Sequence, residues 1–227
     1  MTLPRLTAKS RADSARPPIQ IVNWGHLAFR EAHRRQLEAV EKRIAREIPD
    51  TVYLVEHPHV YTYGRAADSA ILGSTSKVLG QSVERVMIER GGDVTYHGPG
   101  QLVAYPIVDV KSLTGDLHHF LHWMEDIIIQ TIGVWGMSGE RRSGFTGVWV
   151  GEKKIASIGV AVRKWVSYHG LALNVGTDLR YFQAINPCGL PPDVMTSMEA
   201  ITGIQIPMND VRRRLAENIA GCVNLNP

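Results

Sequence analysis

The sequence predicts a single α/β (α+β) domain, with a mixed, largely antiparallel sheet packed with helices. Three observations carry that expectation. Residues 27–47 and 116–135 repeat apolar side chains at helical intervals. Around them lie short runs rich in Val, Ile, Tyr and Trp, joined by brief Gly-bearing or charged turns. No repeat, low-complexity tract or linker interrupts the 227 residues, a length that suits one sizeable core.

Taken in order, residues 19–23 read as a first strand. A helix follows over 27–47, where Leu37, Val40 and Ile44 recur at intervals of three and four, and Pro49-Asp50 ends it. Residues 51–56 and 60–63 are strands on either side of His57-Pro58-His59. Residues 66–81 carry Gly73 and Gly80 and read as loop with a short helix. Strands at 83–88 and 102–108 flank a loop from Arg90 to Gln101. Asp116 is placed to cap the second helix, which runs to Trp135. Residues 145–150, 154–162 and 167–175 are strands, turned at Gly151-Glu152 and Arg163-Lys164. Residues 186–192 are irregular and proline-rich. The last helix spans 209–223, with an Asn-Asp capping signal. Residues 1–18, rich in Arg, Ser, Ala and Pro, are expected to form a flexible N-terminal extension. A frayed terminus is a simpler reading of them than a transit peptide. Residues 19–227 are expected to form the domain.

Composition narrows the function. Net charge is +3 and the pI is about 8.9. No zinc-finger spacing or basic-aromatic stripe supports nucleic-acid binding. A mildly basic rim suits an acidic protein partner. No apolar run reaches the roughly 18 residues of a membrane-spanning helix. Only Cys188 and Cys222 are present, so the expected compartment is the cytoplasm or another reducing one.

The loop Arg90-Gly91-Gly92-Asp93-Val94-Thr95-Tyr96-His97-Gly98-Pro99-Gly100-Gln101 concentrates glycine with ionisable and aromatic residues. Glycine lets backbone approach a ligand closely, and a purely structural turn has no need of Arg, Asp, Tyr and His together. The P-loop spacing and the dinucleotide fingerprint are both absent, and the loop ends in a strand. It reads as the floor of a pocket for an extended, largely apolar substrate.

Two groups carry chemistry. Cys188 lies in Asn186-Pro187-Cys188-Gly189-Leu190-Pro191-Pro192, a rigid turn that can present a thiol, whereas Cys222 falls on the terminal helix among core positions. A thiolate needs a nearby positive charge, for which Lys154, His97 and His169 are candidates. Strand alternation places Lys154 with Ala156 and Ile158 on one face, and Lys153 on the other. A solvated Lys153-Lys154 turn is the alternative. Small residues at Ser157-Ile158-Gly159 and Gly170-Leu171-Ala172 leave a slot for an alkyl chain, or else pack under a crossing helix. His118-His119-x-x-His122 lacks the glutamate of H-E-x-x-H, so these are read as surface histidines and no metal is expected.

The glycine loop, then Gly147-Val148-Trp149-Val150-Gly151 with Lys154-Ile155-Ala156-Ser157-Ile158-Gly159, then Ser167-Tyr168-His169-Gly170-Leu171-Ala172-Leu173-Asn174, then Asn186-Pro187-Cys188-Gly189 resemble the octanoyltransferases of lipoate biosynthesis, in the family's order. The resemblance runs from about residue 20 into the C-terminal helix. It implies the fold of lipoate and biotin protein ligase catalytic domains. It implies transfer of an octanoyl group from acyl carrier protein to a lysine of lipoyl domains, those of 2-oxoacid dehydrogenase complexes and the glycine cleavage H protein. It further implies that Cys188 forms an acyl-thioester and that Lys154 lowers the thiol pKa and moves protons. The acyl pocket would be lined by Arg90, Gly91, Gly92, Asp93, Val94, Thr95, Tyr96, His97, Ser157, Ile158, Gly159, Gly170, Leu171 and Ala172. No cofactor, ATP, metal, nucleic acid or membrane is implied. The alternatives are an ATP-dependent lipoate or biotin ligase, and a non-catalytic protein that binds lipoyl domains.

Overall fold

The computed structural model describes residues 17–67, 76–185 and 191–222. In chain order its elements are β1 (Gln20–His26), α1 (Phe29–Ile44), β2 (Thr51–Glu56), β3 (Val60–Tyr63), β4 (Ser76–Val78), β5 (Gln81–Met87), β6 (Val94–His97) and β7 (Gln101–Ile107). There follow α2 (Val110–Thr114), α3 (Leu117–Gly133), β8 (Glu140–Arg142), β9 (Phe145–Val150), β10 (Lys153–Arg163), β11 (Val166–Asn174), α4 (Met198–Thr202) and α5 (Met208–Cys222). A seven-stranded sheet has the order β1-β2-β7-β11-β10-β9-β8, and a four-stranded sheet the order β4-β5-β3-β6. Pairing is antiparallel except for β1 with β2 and β3 with β5. The mixed, largely antiparallel expectation holds, divided over two sheets.

Strand β7 shows why the larger sheet is stable. Every one of its residues is buried. Leu102 and Ala104 join the core beneath α3 and α5, while Val103, Tyr105 and Ile107 face the side covered by α1. A strand covered on both faces needs a nearly continuous apolar run, which this segment supplies. On α3, Phe120, Met124, Ile127, Ile128 and Ile132 repeat with helical period and are fully buried. Each such side chain contributes about 1.5–3 kcal/mol relative to exposure. The Asp116 carboxylate accepts the His119 N–H at 2.9 Å, so the expected N-cap is present.

Four expectations change. The glycine loop contains strand β6, because Val94, Thr95 and Tyr96 are β-formers and β3 offers an antiparallel edge from Val60 opposite His97 to Tyr63 opposite Val94. The 66–81 stretch ends in strand β4, since Val78 turns back onto Gln81 in a tight hairpin with β5; residues 68–75, where a short helix could lie, are outside the described residues. Two short elements, α2 and β8, have too few residues to show periodicity. Asn209 and Asp210 lie within the first turn of α5 rather than before it, with the Asp210 N–H donating to the Pro207 carbonyl at 3.0 Å.

Candidate active site

A cavity of about 410 Å³ lies between the two sheets, lined by β6, β7, β10 and β11, by Phe29 of α1 and by Leu117 and Leu121 of α3. The loop between β5 and β6 closes one wall. Its Gly91 N–H donates to the Val160 carbonyl at 3.0 Å, which ties the small sheet to β10. That approach requires Gly159, because a Cβ there would stand 3.1 Å from both Arg90 Cδ and the Gly91 carbonyl oxygen.

Twelve of the fourteen residues expected to line an acyl pocket reach the cavity, namely Arg90, Gly91, Gly92, Val94, Thr95, His97, Ser157, Ile158, Gly159, Gly170, Leu171 and Ala172. Asp93 and Tyr96 do not. Along β6, Thr95 and His97 point to the cavity, so the intervening Tyr96 points away. Its ring stacks on Tyr181 at 5.0 Å, meets Phe182 edge-on and takes part in the core of the small sheet. Asp93 turns the loop, its carbonyl accepting the Gly64 N–H at 3.0 Å. Tyr105, Leu121, Val160 and Met195 also line the cavity and went unrecognised, as did Phe29. The apolar spacing of Leu117 and Leu121 was a usable signal; Met195 gave none, since only the chain's return to β10 brings it there.

The cavity wall is mainly apolar, and its histidines are uncharged. His97 is buried at the cavity wall, and burial, reinforced by the neighbouring His57, pushes it from 6.5 down to about 3. The Gln101 amide donates to the Tyr96 carbonyl at 3.1 Å and to Asn174 Oδ1 at 2.9 Å, so its oxygen accepts from His97 Nδ1 at 2.7 Å. His97 Nε2 is left as an acceptor facing the Thr62 hydroxyl at 3.3 Å. Arg90 donates to the Thr62 carbonyl at 2.6 Å and to the Gly91 carbonyl at 3.0 Å. Burial likewise lowers His57 to about 4, and its Nδ1 donates to the Leu27 carbonyl while the Tyr105 hydroxyl donates to its Nε2, both at 2.7 Å. His169 is also lowered by burial. His97 and His169 are therefore neutral near pH 7 and cannot supply the positive charge considered for a thiolate. Among the three candidates, that leaves Lys154.

Lys154 is 5% exposed and lines the cavity. Its Nζ lies 5.8 Å from the centroid of the buried Trp149 ring. Its main chain bridges to Met195, and its carbonyl accepts the Thr196 N–H at 2.9 Å. Gly147 makes room for the side chain. Its φ is +133°, and a Cβ there would collide with the Ala156 carbonyl and lie 2.7 Å from Lys154 Cε. Lys153 faces outward, donating to the Asp193 carbonyl at 2.7 Å. The expected face for Lys154 holds, but its companions differ. A bulge opposite β9 shifts the register between Lys154 and Ala156, so Ile155 and Ala156 both enter the main core while Lys154 and Ser157 line the cavity.

Cys188 lies outside the described residues. The chain before it ends in a short 3-10 helix, Leu179–Ala184, where the Tyr181 carbonyl accepts from the Tyr61 hydroxyl at 2.7 Å. The chain after it returns through Met195 and Thr196 to Lys154. Cys222 closes α5, and its side chain is likewise outside what is described. No helix among the described residues is long and apolar enough to cross a membrane.

Residues 29–220 match the family model of the lipoyl protein ligase A/B catalytic domain. The chain is 43% identical over 197 residues to the octanoyltransferase of Syntrophotalea carbinolica, covering 87% of this chain and 90% of that protein. Among solved structures it resembles the bipartite lipoate protein ligase of Thermoplasma acidophilum, with a TM-score of 0.69 at 15% identity, over 92% of this chain and 85% of the other. The biotin protein ligase of Aquifex aeolicus shares the fold more distantly, with a TM-score of 0.51 at 11% identity, over 91% and 68% of the two chains. The chain belongs to the lipoyl protein ligase A/B catalytic-domain family and, within it, to the octanoyltransferases, which are acyltransferases of protein lipoylation.

Proposed function

We propose that this chain carries an octanoyl group from the phosphopantetheine thioester of acyl carrier protein to a lysine of a lipoyl domain, by way of a thioester on Cys188. The observation that carries the reading is the burial of a single-sided lysine, Lys154, at a cavity whose histidines are neutral and whose size falls at the small end of ligand pockets (~300–1,000 Å³). An uncharged alkyl chain suits those walls. The ammonium of Lys154 would favour a thiolate in the segment that leads into Met195.

In the first step the Cys188 thiolate attacks the donor's thioester carbonyl, and the phosphopantetheine thiol leaves with a proton taken from the Lys154 ammonium, which is thereby left neutral. The Cys188 thioester forms with little change in bond energy. In the second step the lysine amine of the lipoyl domain attacks that thioester; an amide forms, the Cys188 thiolate leaves, and neutral Lys154 takes the amine proton. Splitting the transfer lets two protein substrates use one site in turn. The reaction needs no ATP, cofactor or metal. The mild positive charge suits an acidic carrier protein. The acceptors we infer are the lipoyl domains of 2-oxoacid dehydrogenase complexes and the glycine cleavage H protein, and the compartment is the cytoplasm, in keeping with two cysteines.

The test is intact-mass spectrometry after mixing the protein with octanoyl-carrier protein and no ATP. An octanoyl increment that is absent in Cys188→Ser, retained in Cys222→Ser, and chased onto an apo lipoyl domain supports the reading. Transfer that persists in Cys188→Ser overturns the thioester. Transfer that proceeds only from free octanoate with ATP would identify a ligase instead.

A further inference from the structure

Three side chains from separate elements converge where α1 crosses β11. His33 comes from α1, Glu89 from the loop after β5, and His169 from β11. We propose that they form a binding site for a divalent transition-metal cation, with Zn²⁺ as the representative ion.

The spacing suits such an ion. Glu89 Oε2 lies 3.1 Å from His33 Nε2 and 3.4 Å from His169 Nε2, and all three ligand atoms fall within 4.8 Å of one another. A tetrahedral ion holding nitrogen and oxygen at about 2.0–2.2 Å sets neighbouring ligand atoms about 3.4 Å apart. The His33 and His169 rings stack at 5.4 Å with an interplanar angle of 20°, so small shifts bring both nitrogens to one point. Two imidazoles and a carboxylate match zinc-like cations, whereas calcium and magnesium favour all-oxygen sets.

A second observation points to a ligand. His169 is 3% exposed, and its buried Nε2 makes no well-formed hydrogen bond, with Glu89 Oε2 at a long 3.4 Å. A buried polar atom so weakly paired forgoes part of its hydrogen-bond energy, which a coordinated cation would restore. The residue is also held in the left-handed region, at φ +57°, where its N–H donates to the buried Gln36 Oε1 at 2.8 Å. Such a conformation persists in a non-glycine residue only where the surroundings impose it. Glu89 is half exposed, which gives an ion a path from solvent and leaves coordination positions for water.

The site lies apart from Lys154, although His169 itself lines the cavity. Val160 pairs with His169, and β10 advances on the order of 20 Å between Lys154 and Val160. A bound cation would clip α1, the β5–β6 loop and β11 together at the far wall of the cavity.

The experiment titrates Zn²⁺ alone into the EDTA-stripped full chain against a chromophoric chelator. A Cys188→Ser/Cys222→Ser background keeps thiolates from binding the metal. The expected result is one tight equivalent per chain and a Tm raised over the EDTA-treated protein. His33→Gln and Glu89→Gln should each weaken binding about tenfold or more. Their metal-free Tm values report folding, and Glu89, on a half-exposed loop position, tolerates substitution if His33→Gln does not. A His118→Gln/His122→Gln variant should bind as before. Absence of a one-to-one site, or an affinity that follows His118 and His122 and ignores His33 and Glu89, overturns the proposal.

Discussion

Lys153 and Lys154 are adjacent in sequence and face opposite sides of β10. The Lys154 ammonium lies over the buried Trp149 ring at 5.8 Å, while the Lys153 ammonium donates to the Asp193 carbonyl at the surface. Chemically identical side chains thus occupy different environments, and their substitution separates charge in general from charge at the cavity.

Lys154→Ala should reduce octanoyl transfer by about 10²–10⁴-fold, the scale of a lost acid–base group. The iodoacetamide reactivity of Cys188 should move to higher pH. Lys154→Arg should restore part of the thiolate but little transfer, because a guanidinium stays protonated. Lys153→Ala should cost less than threefold. A larger loss from Lys153→Ala than from Lys154→Ala, in steady-state transfer assays, would remove Lys154 from its assigned role.

Gly147→Ala should perturb the same lysine by a different route. The added methyl must enter space held by the Ala156 carbonyl and Lys154 Cε, at a φ of +133°. Strain of this kind costs about 1–3 kcal/mol. Urea denaturation should show that loss, and transfer measured well below the unfolding midpoint should fall as well. Wild-type activity in the variant would mean that Lys154 does not need its present position.

Cavity residues and core residues should respond differently to enlargement. Ser157→Leu and Ala172→Val place atoms in the cavity and should shift preference toward shorter acyl chains. Ala156→Leu enlarges a fully buried core position, so it should destabilise by about 1–3 kcal/mol without changing the preferred length. Competition among hexanoyl, octanoyl and decanoyl donors distinguishes the two. Unchanged preference in folded Ser157→Leu and Ala172→Val would show that the alkyl chain lies elsewhere.

Acid should weaken the fold before carboxylates titrate. His57 and His97 ordinarily titrate at 6.5 but are depressed to about 4 and about 3 in the folded chain. Below pH 6.5 the unfolded state binds protons that the native state refuses, so stability falls as pH falls. Each histidine contributes a slope approaching about 1.4 kcal/mol per pH unit, until its folded pKa is reached. Urea midpoints between pH 7 and 4.5 should therefore decline, and His57→Gln should show a shallower decline. A flat profile over that range would mean these rings are not buried neutral.

Much of the fold was legible because its signals are local. The Asp116 cap, the helical period of α3 and the limits of β2, β3 and β9 each depend on a few consecutive residues, and the structure places them where the pattern did. That Lys153 and Lys154 face opposite sides followed from strand alternation, while the company of Ala156 and Ile158 and the family motif selected Lys154 as the inward one. Of the fourteen residues that the family resemblance implies for the acyl pocket, all in short motifs, twelve line the cavity.

Tertiary structure decided the rest, wherever the deciding partner is distant in sequence. The bulge that sends Ala156 to the core exists because β9 pairs on one side of β10. Tyr96 leaves the cavity because the small sheet needs it against Tyr181 and Phe182. The neutrality of His97 comes chiefly from burial, a property of the elements packed around it rather than of the residues beside it in sequence. His33, Glu89 and His169 meet only when α1 is laid across β11 and the β5–β6 loop folds over. Sequence alone determines hydrophobic period, capping and motif. Proximity, desolvation and register arise from packing, and they set the charge of each group in the cavity.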